Sequence, residues 1–270
     1  MDLVDTHCHI HEIVGSTDVA ERWHKGGVTD ADKVIADAKK AGVTRLVCVG
    51  CTLADSQLAV DFAQTRADCW ASIGIHPHEA KDFLDKASQE TFAKLASQSK
   101  VVAVGECGLD YFYNHSSKDT QEKVLRFQIE LALEHDLPLI FHVREAFDDF
   151  WPVFEDYRGI RGVLHSFTDT EVNMRRAVKH GLFIGVNGIA TFTKDQKQLQ
   201  MYKNIPLKHL LLETDAPFLT PSPYRGTICE SKHVRVTAEF LAALRGETLE
   251  QIAVATTQNA GQLFAPRDDN

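Results

Sequence analysis

The chain has 270 residues, 44% of them hydrophobic and 25% charged, enough for one large α/β domain or two ordinary ones with a buried core. Its net charge of −9 argues against broad electrostatic wrapping of nucleic acid, but not against an enzyme that holds one strand end through metal ions. No apolar stretch approaches the roughly 18 residues of a membrane span, and MDLVDTHCHI lacks the basic and apolar regions of a signal peptide, so a cytoplasmic or nuclear protein is expected.

In chain order the sequence offers short runs rich in Val, Ile and Leu: Leu3-Val4, RLVCVG (45–50), WASIGI (70–75), VVAVG (101–105), PLIF (138–141), GVLHS (162–166), LFIGV (182–186) and LLLET (210–214). They do not alternate apolar with polar, as befits strands buried on both faces. Helical spacing fills the gaps. TDADKVIADAKKAG (29–42) opens on a Thr/Asp cap signal and closes on glycine, as does DTEVNMRRAVKHG (169–181) at its end. Residues 118–136 carry a broad apolar face through Val124, Leu125, Phe127, Ile129, Leu131 and Ala132. Eight such alternations predict an α/β fold, a (β/α)8 TIM-type barrel forming a single domain over residues 1–270. A doubly wound open sheet is the runner-up.

The six cysteines are expected as free thiols. Cys48-Val-Gly-Cys51 forms a CxxC, but a zinc ribbon needs a second pair and none exists. A redox motif needs a helix start at that turn, which TLADSQ can supply; inert thiols at a strand end are the simpler reading.

Nearly every apolar run ends in His, Glu, Asp or Asn: DTHCH, GIHPH, GECGLD, FHVRE, LHSF, GVNG, ETDAP. In a barrel these ends meet on one face, where active sites of the fold lie. His7 and His9, one residue apart on a strand, point to the same side, and Cys8 between them points away into packing. A single strand-end histidine is more often a hydrogen-bonded structural residue than a ligand. Six ligand-type residues from five strands, His7, His9, Glu106, His142, His165 and Asp215, make a metal centre instead. His7, His9 and Asp215 come from the first and last strands and are expected to hold one ion. His142 and His165 take the second, and Glu106 bridges. Two such ions (zinc, manganese, iron or magnesium) would activate a water and clamp the leaving oxygen of a phosphoryl displacement. Asp215 is expected to position or deprotonate that water. His11 follows the expected end of the first strand and is placed in a loop outside the ligand set. There is no GxSxG elbow, P-loop or GxGxxG after a strand, and Gly185–Gly188 lacks the helix-opening context of a phosphate cradle. Tyr111, Phe112 and Tyr113, just after Glu106, are candidates for stacking terminal bases, with simple loop packing as the alternative.

With these residues assembled, the chain closely resembles the TatD family of metal-dependent deoxyribonucleases, in DTHCH, GIHPH, GECGLDY, LPLIFHVREA, GVLHSF, GVNGI, LLLETDAPFLTP and TTQNAGQLF. The resemblance implies a barrel of the metal-dependent hydrolase superfamily. It implies a nuclease using two divalent ions (Mg, Mn or Zn), acting on DNA ends, with RNA as an alternative, from the 3′ end and often favouring single strands. It places His7, His9, Glu106, His142, His165 and Asp215 as metal ligands, and His76, Arg144 and Arg225 as phosphate or substrate contacts. No membrane and no obligate protein partner are implied. Two segments depart from the family pattern, Ile10-His11-Glu12 and Ile228–Ser231, both expected in loops. A small-molecule hydrolase of the same superfamily (amide, lactone or phosphoester) is the first rival; its usual bridging lysine on strand four is missing from VVAVGECGLD. A non-enzymatic metal-binding scaffold is the second, and retention of all six ligand-type residues weighs against it.

Overall fold

The computed structural model describes residues 2–82, 85–113 and 115–265. Eight parallel strands alternate with helices along it. In chain order the elements are β1 (Leu3–Cys8), α1 (Asp18–Lys25), α2 (Ala31–Lys40), β2 (Val43–Val49), α3 (Leu53–Gln64), β3 (Cys69–Ile73), α4 (Lys86–Ala96), β4 (Val101–Asp110), α5 (Lys118–Glu134), β5 (Leu139–Arg144), α6 (Phe147–Glu155), β6 (Gly162–Leu164), α7 (Glu171–Lys179), β7 (Phe183–Val186), α8 (Gln196–Asn204), β8 (Leu210–Leu212), α9 (Val234–Arg245) and α10 (Leu249–Leu263). Among the described residues, no helix is long and apolar enough to cross a membrane.

The chain groups into two compact units, Met1–Cys48 with Ser166–Gln262, and Val49–His165 with Leu263–Asn270. In the first, β1 pairs in parallel with β2 through Leu3↔Val43, Asp5↔Leu46 and Cys8↔Cys48, and β7 pairs with β8 through Ile184↔Leu210 and Val186↔Leu212. β1 also runs beside β8. Thr6 Oγ1 donates to Leu212 O at 2.9 Å, and Cys8 forms a parallel bridge with Ala216. The first and last strands are therefore neighbours.

In the second unit β3, β4, β5 and β6 pair in sequence order, through Ser72↔Ala103, Gly108↔His142 and Ile140↔Val163. The apolar run at 101–105 underestimates β4, which continues to Asp110 with every residue buried. GECGLD stays in the ladder because β5 pairs with it as far as Asp110↔Arg144. Gly108 makes the approach possible: at φ +152°, an added Cβ would stand 1.8 Å from His142 O.

Helix starts follow the cap residues. Thr17, Asp30, Thr52, Asp85, Ser117 and Thr170 each accept a backbone N–H of the first turn, an interaction typically worth about 1 kcal/mol. α5 buries Val124, Leu125, Ile129, Leu131 and Ala132, but also Gln121 and Gln128. Those amides are spent on strand ends. Gln121 accepts from Asp110 N (2.8 Å) and donates to Asp110 O (3.1 Å), and Gln128 does the same for Ile75 (2.7 and 3.0 Å). Asp110 and His76 are thus presented from anchored backbone.

Candidate metal centre

Strand alternation sorts the side chains of DTHCH. Cys8 is fully buried with its Sγ 3.4 Å from Val47 O, and His7 takes the alternate side of β1, whereas His9 lies just past the strand end, as the N-cap of the 3-10 turn Ile10–Val14. The Nε2 atoms of His7 and His9 converge on one oxygen of Asp215, at 3.6 Å and 3.4 Å. Donors bonded to one ion at about 2.0–2.2 Å stand roughly 3.0–3.4 Å apart. The three residues therefore fit a shared divalent ion in donor type and near-matching spacing. Asp215 lies just beyond β8 with φ +65°, a left-handed conformation that aspartate adopts more readily than most residues. Its N–H donates to His7 O (2.9 Å), and Phe218 N–H donates to its carbonyl (2.8 Å), which holds the carboxylate in place. Behind it, Asp5 accepts from Thr214 N (2.9 Å) and Thr214 Oγ1 (2.7 Å), and burial pushes its carboxyl up to about 7.

Glu213 lies two residues before Asp215 in the same motif. It is buried, and its Oε1 accepts the N–H of Ser166 at 2.6 Å, the residue that follows His165 and sits at φ +48°. Gly185 leaves room for that carboxylate; an added Cβ would lie 2.3 Å from Glu213 Oε2. Asn187 completes the corner, donating to Ser166 Oγ at 2.8 Å and capping the 3-10 turn Gly188–Thr191.

The second cluster centres on Glu106, 4% exposed. Its Oε1 lies 2.7 Å from His142 Nδ1, 3.4 Å from His165 Nε2 and 3.7 Å from His76 Nε2, and Cys51 Sγ donates to Oε2 at 3.8 Å. A carboxylate facing three imidazoles again has the donor chemistry of a divalent-ion site. His142 reaches Asp110 Oδ2 with its other nitrogen (3.1 Å), and His78 Nε2 meets the same oxygen at 3.0 Å. Burial opposes a charge on Asp110, but the bonds from His142, His78 and Tyr113 N–H outweigh it and hold the carboxyl far below its ordinary value. Burial likewise lowers His142, but its bonds to Asp110 and Glu106 carry the imidazole above its ordinary value. His76 goes the other way: burial, with Glu106 opposing, holds it well below.

Arg144, at the end of β5, is exposed with its guanidinium 3.9 Å from the Phe112 ring centroid. The Tyr111 ring lies under Lys118 Nζ (3.7 Å), and burial and a bond to Asp149 raise its phenol. Arg225 donates to Thr220 O (2.8 Å), stacks over Phe192 (4.0 Å) and lines a cavity of about 970 Å³ with Arg22, Lys25 and Phe218. The departing segments are packed rather than open loops. His11 and Glu12 are buried in the 3-10 turn Ile10–Val14, and Cys229 and Ser231 are fully buried. The sequence reading passed over Asp110, His78 and Glu213, although each lies inside a motif it quoted.

Residues 4–265 match the family described as TatD related DNase. The chain belongs to this family. It is similar to the "uncharacterized metal-dependent hydrolase YabD" of Bacillus subtilis, 37% identical over 97% of this chain and 98% of that one. It is 35% identical to the "3'-5' ssDNA/RNA exonuclease TatD" of Escherichia coli, over 87% of this chain and 93% of that one. Among solved structures, YjjV, a TatD homologue of Escherichia coli, superposes with a TM-score of 0.85 at 28% identity, covering 97% of each chain. The fold of this TatD-family chain is the (β/α)8 TIM-type barrel expected from sequence. As a TatD-family member it is a metal-dependent hydrolase.

Proposed function

We propose that the protein is a 3′–5′ exonuclease that removes nucleotides from single-stranded DNA or RNA ends. It uses two divalent ions, one at His7, His9 and Asp215, the other at Glu106, His142 and His165. The observation that carries this reading is that each of two carboxylates, Asp215 and Glu106, turns a single oxygen toward at least two imidazole nitrogens within 3.7 Å. The name of the Escherichia coli relative supports the choice of substrate and direction.

Bound divalent ions supply Lewis acidity, acidifying a water and neutralising charge on phosphoryl oxygens. The chain's own residues do the rest. Asp215 accepts the proton of the incoming water, its orientation held by His7 O and Phe218 N–H. His76, kept neutral by burial, donates a hydrogen bond to a phosphate oxygen without contributing a fixed charge. Arg144 and Arg225 each contribute a cationic contact to the phosphate backbone. Imidazole donors favour zinc, and the carboxylates keep manganese and magnesium in play.

A time course on end-labelled single- and double-stranded oligonucleotides with Mg²⁺, Mn²⁺ or Zn²⁺ tests the reading. Stepwise loss from the 3′ end of the single strand is expected. Absence of cleavage with every ion would refute it.

A further inference from the structure

We infer that Phe112 and Tyr113 form the platform on which the terminal nucleobase stacks, an inference that rests on the exonuclease reading. Most large apolar side chains of this protein are buried, but these adjacent rings are 48% and 44% exposed. The guanidinium of Arg144 lies over both, 3.9 Å from the Phe112 centroid and 5.1 Å from that of Tyr113. Arg144 is itself exposed, and among the described residues no carboxylate pairs with it. An arginine without an anion, resting on exposed aromatic faces, is the chemistry that receives a nucleotide. The two rings meet edge-to-face at 4.6 Å and 85°, so one takes the face of the flat base and the other its edge, and the guanidinium takes the phosphate. The His115 imidazole already lies near-parallel to Tyr113, at 5.8 Å and 24°, so the platform accommodates a flat nitrogen heterocycle.

One carboxylate ties this platform to the Glu106 cluster. Asp110 Oδ1 accepts the N–H groups of Phe112 (2.9 Å) and Tyr113 (3.1 Å), while its Oδ2 holds His142 and His78. The backbone that carries the rings is thereby anchored to the carboxylate that also holds His142. Tyr111 plays no part in the platform, because Lys118 covers its ring and Asp149 takes its hydroxyl. Stacking reads the presence of a base, not its identity, since every base offers a π-face. It also favours single strands, whose terminal base is free to leave its neighbours.

The test compares two single-stranded oligonucleotides, one with a normal 3′-terminal nucleotide and one with an abasic 3′ end. A third carries 2-aminopurine at the 3′ terminus, and its fluorescence is followed on adding metal-free protein. Wild type should cleave the base-bearing end with kcat/KM at least about tenfold above the abasic end, and should quench the 2-aminopurine. In the double variant Phe112→Ala/Tyr113→Ala the ratio should fall toward one and the quenching should disappear. The conservative pair Phe112→Tyr/Tyr113→Phe should keep both. Equal cleavage of the two ends by wild type, without quenching, overturns the platform and leaves the exonuclease reading standing. Quenching with no cleavage of either strand by any divalent ion does the reverse.

Discussion

Asp110 grips His142 from the side opposite Glu106: the Asp110 Oδ2 to His142 Nε2 distance is 3.1 Å, and Glu106 Oε1 lies 2.7 Å from the other ring nitrogen. Partners of this kind orient a ligating imidazole and raise its basicity, and their loss typically costs about 10–100-fold in metal affinity or activity. Asp110→Asn is expected to fall in that range while the fold persists, because the amide oxygen can still accept from Phe112 and Tyr113. Metal titration of the dialysed variant, alongside kcat, measures it; wild-type values of both would show that Asp110 does not act through His142.

Glu106 should tolerate substitution structurally and not chemically. Glu106→Gln keeps the shape but loses the charge that faces three imidazoles. We expect a loss of nuclease activity of at least roughly 100-fold, since losing only the outer partner of a ligand already costs about 10–100-fold. Circular dichroism should stay unchanged. Near wild-type DNA degradation would rule out the assigned role.

His9 and His11 separate cleanly by metal content. His9→Ala removes one of the two imidazoles facing Asp215 and should lose about one ion per chain. His11, fully buried in its 3-10 turn, lies outside the set that faces Asp215. His11→Ala should keep both ions and lose roughly 1–3 kcal/mol of stability through the cavity it leaves. Elemental analysis with thermal melts distinguishes the two, and equal metal loss would show the assignment is wrong.

Gly185→Ala sets a methyl group against Glu213. With the added Cβ only 2.3 Å from Oε2, the carboxylate must leave Ser166 N–H or the strand must shift. A destabilisation of roughly 1–3 kcal/mol in urea unfolding is expected. Glu213→Ala in the same background should recover part of the loss, since it removes the clash.

Acid should weaken the fold partly through His209. Burial holds its imidazole below the ordinary value, with Leu182 O opposing and Lys208 adding. The unfolded chain takes up a proton as pH falls through about 6.5. The folded chain resists, so the unfolded state binds more protons and stability falls between about pH 7 and 5. His209→Gln should show a smaller drop in Tm over that range than wild type. Identical slopes would remove His209 from the account.

Much of this architecture was legible because the chemistry sits where the hydrophobic pattern stops. The parity of His7 and His9, and the polar residues closing each apolar run, point to the ligand-type groups without any coordinates. The end of β4 was not legible in the same way. The apolar run stops at Gly105, and Glu106 to Asp110 read only as a strand end, because polar residues seldom stay buried in a strand unless paired. Their partners come from elsewhere: β5 supplies the ladder, and Gln121 on α5 takes both backbone groups of Asp110. A glutamine on a helix's buried face looks like a flaw in an apolar pattern until its partner is known. His76 is similar, since its approach to Glu106 depends on Gln128 anchoring Ile75. His11 was expected in a loop because the first strand ends before it, yet a 3-10 turn buries it.

β1 also constrains how the N-terminal segment can change in length. The His7 imidazole takes one side of the strand and the Cys8 thiol the other, with His9 directly after the strand end. Inserting or deleting a single residue between Val4 and Thr6 would exchange those sides, presenting sulfur where nitrogen stood and pressing a ring into the space of Cys8. A change of two would restore the order. Such variation is therefore tolerated only in even steps, and any odd one must be absorbed before Leu3, where parity carries no chemical meaning.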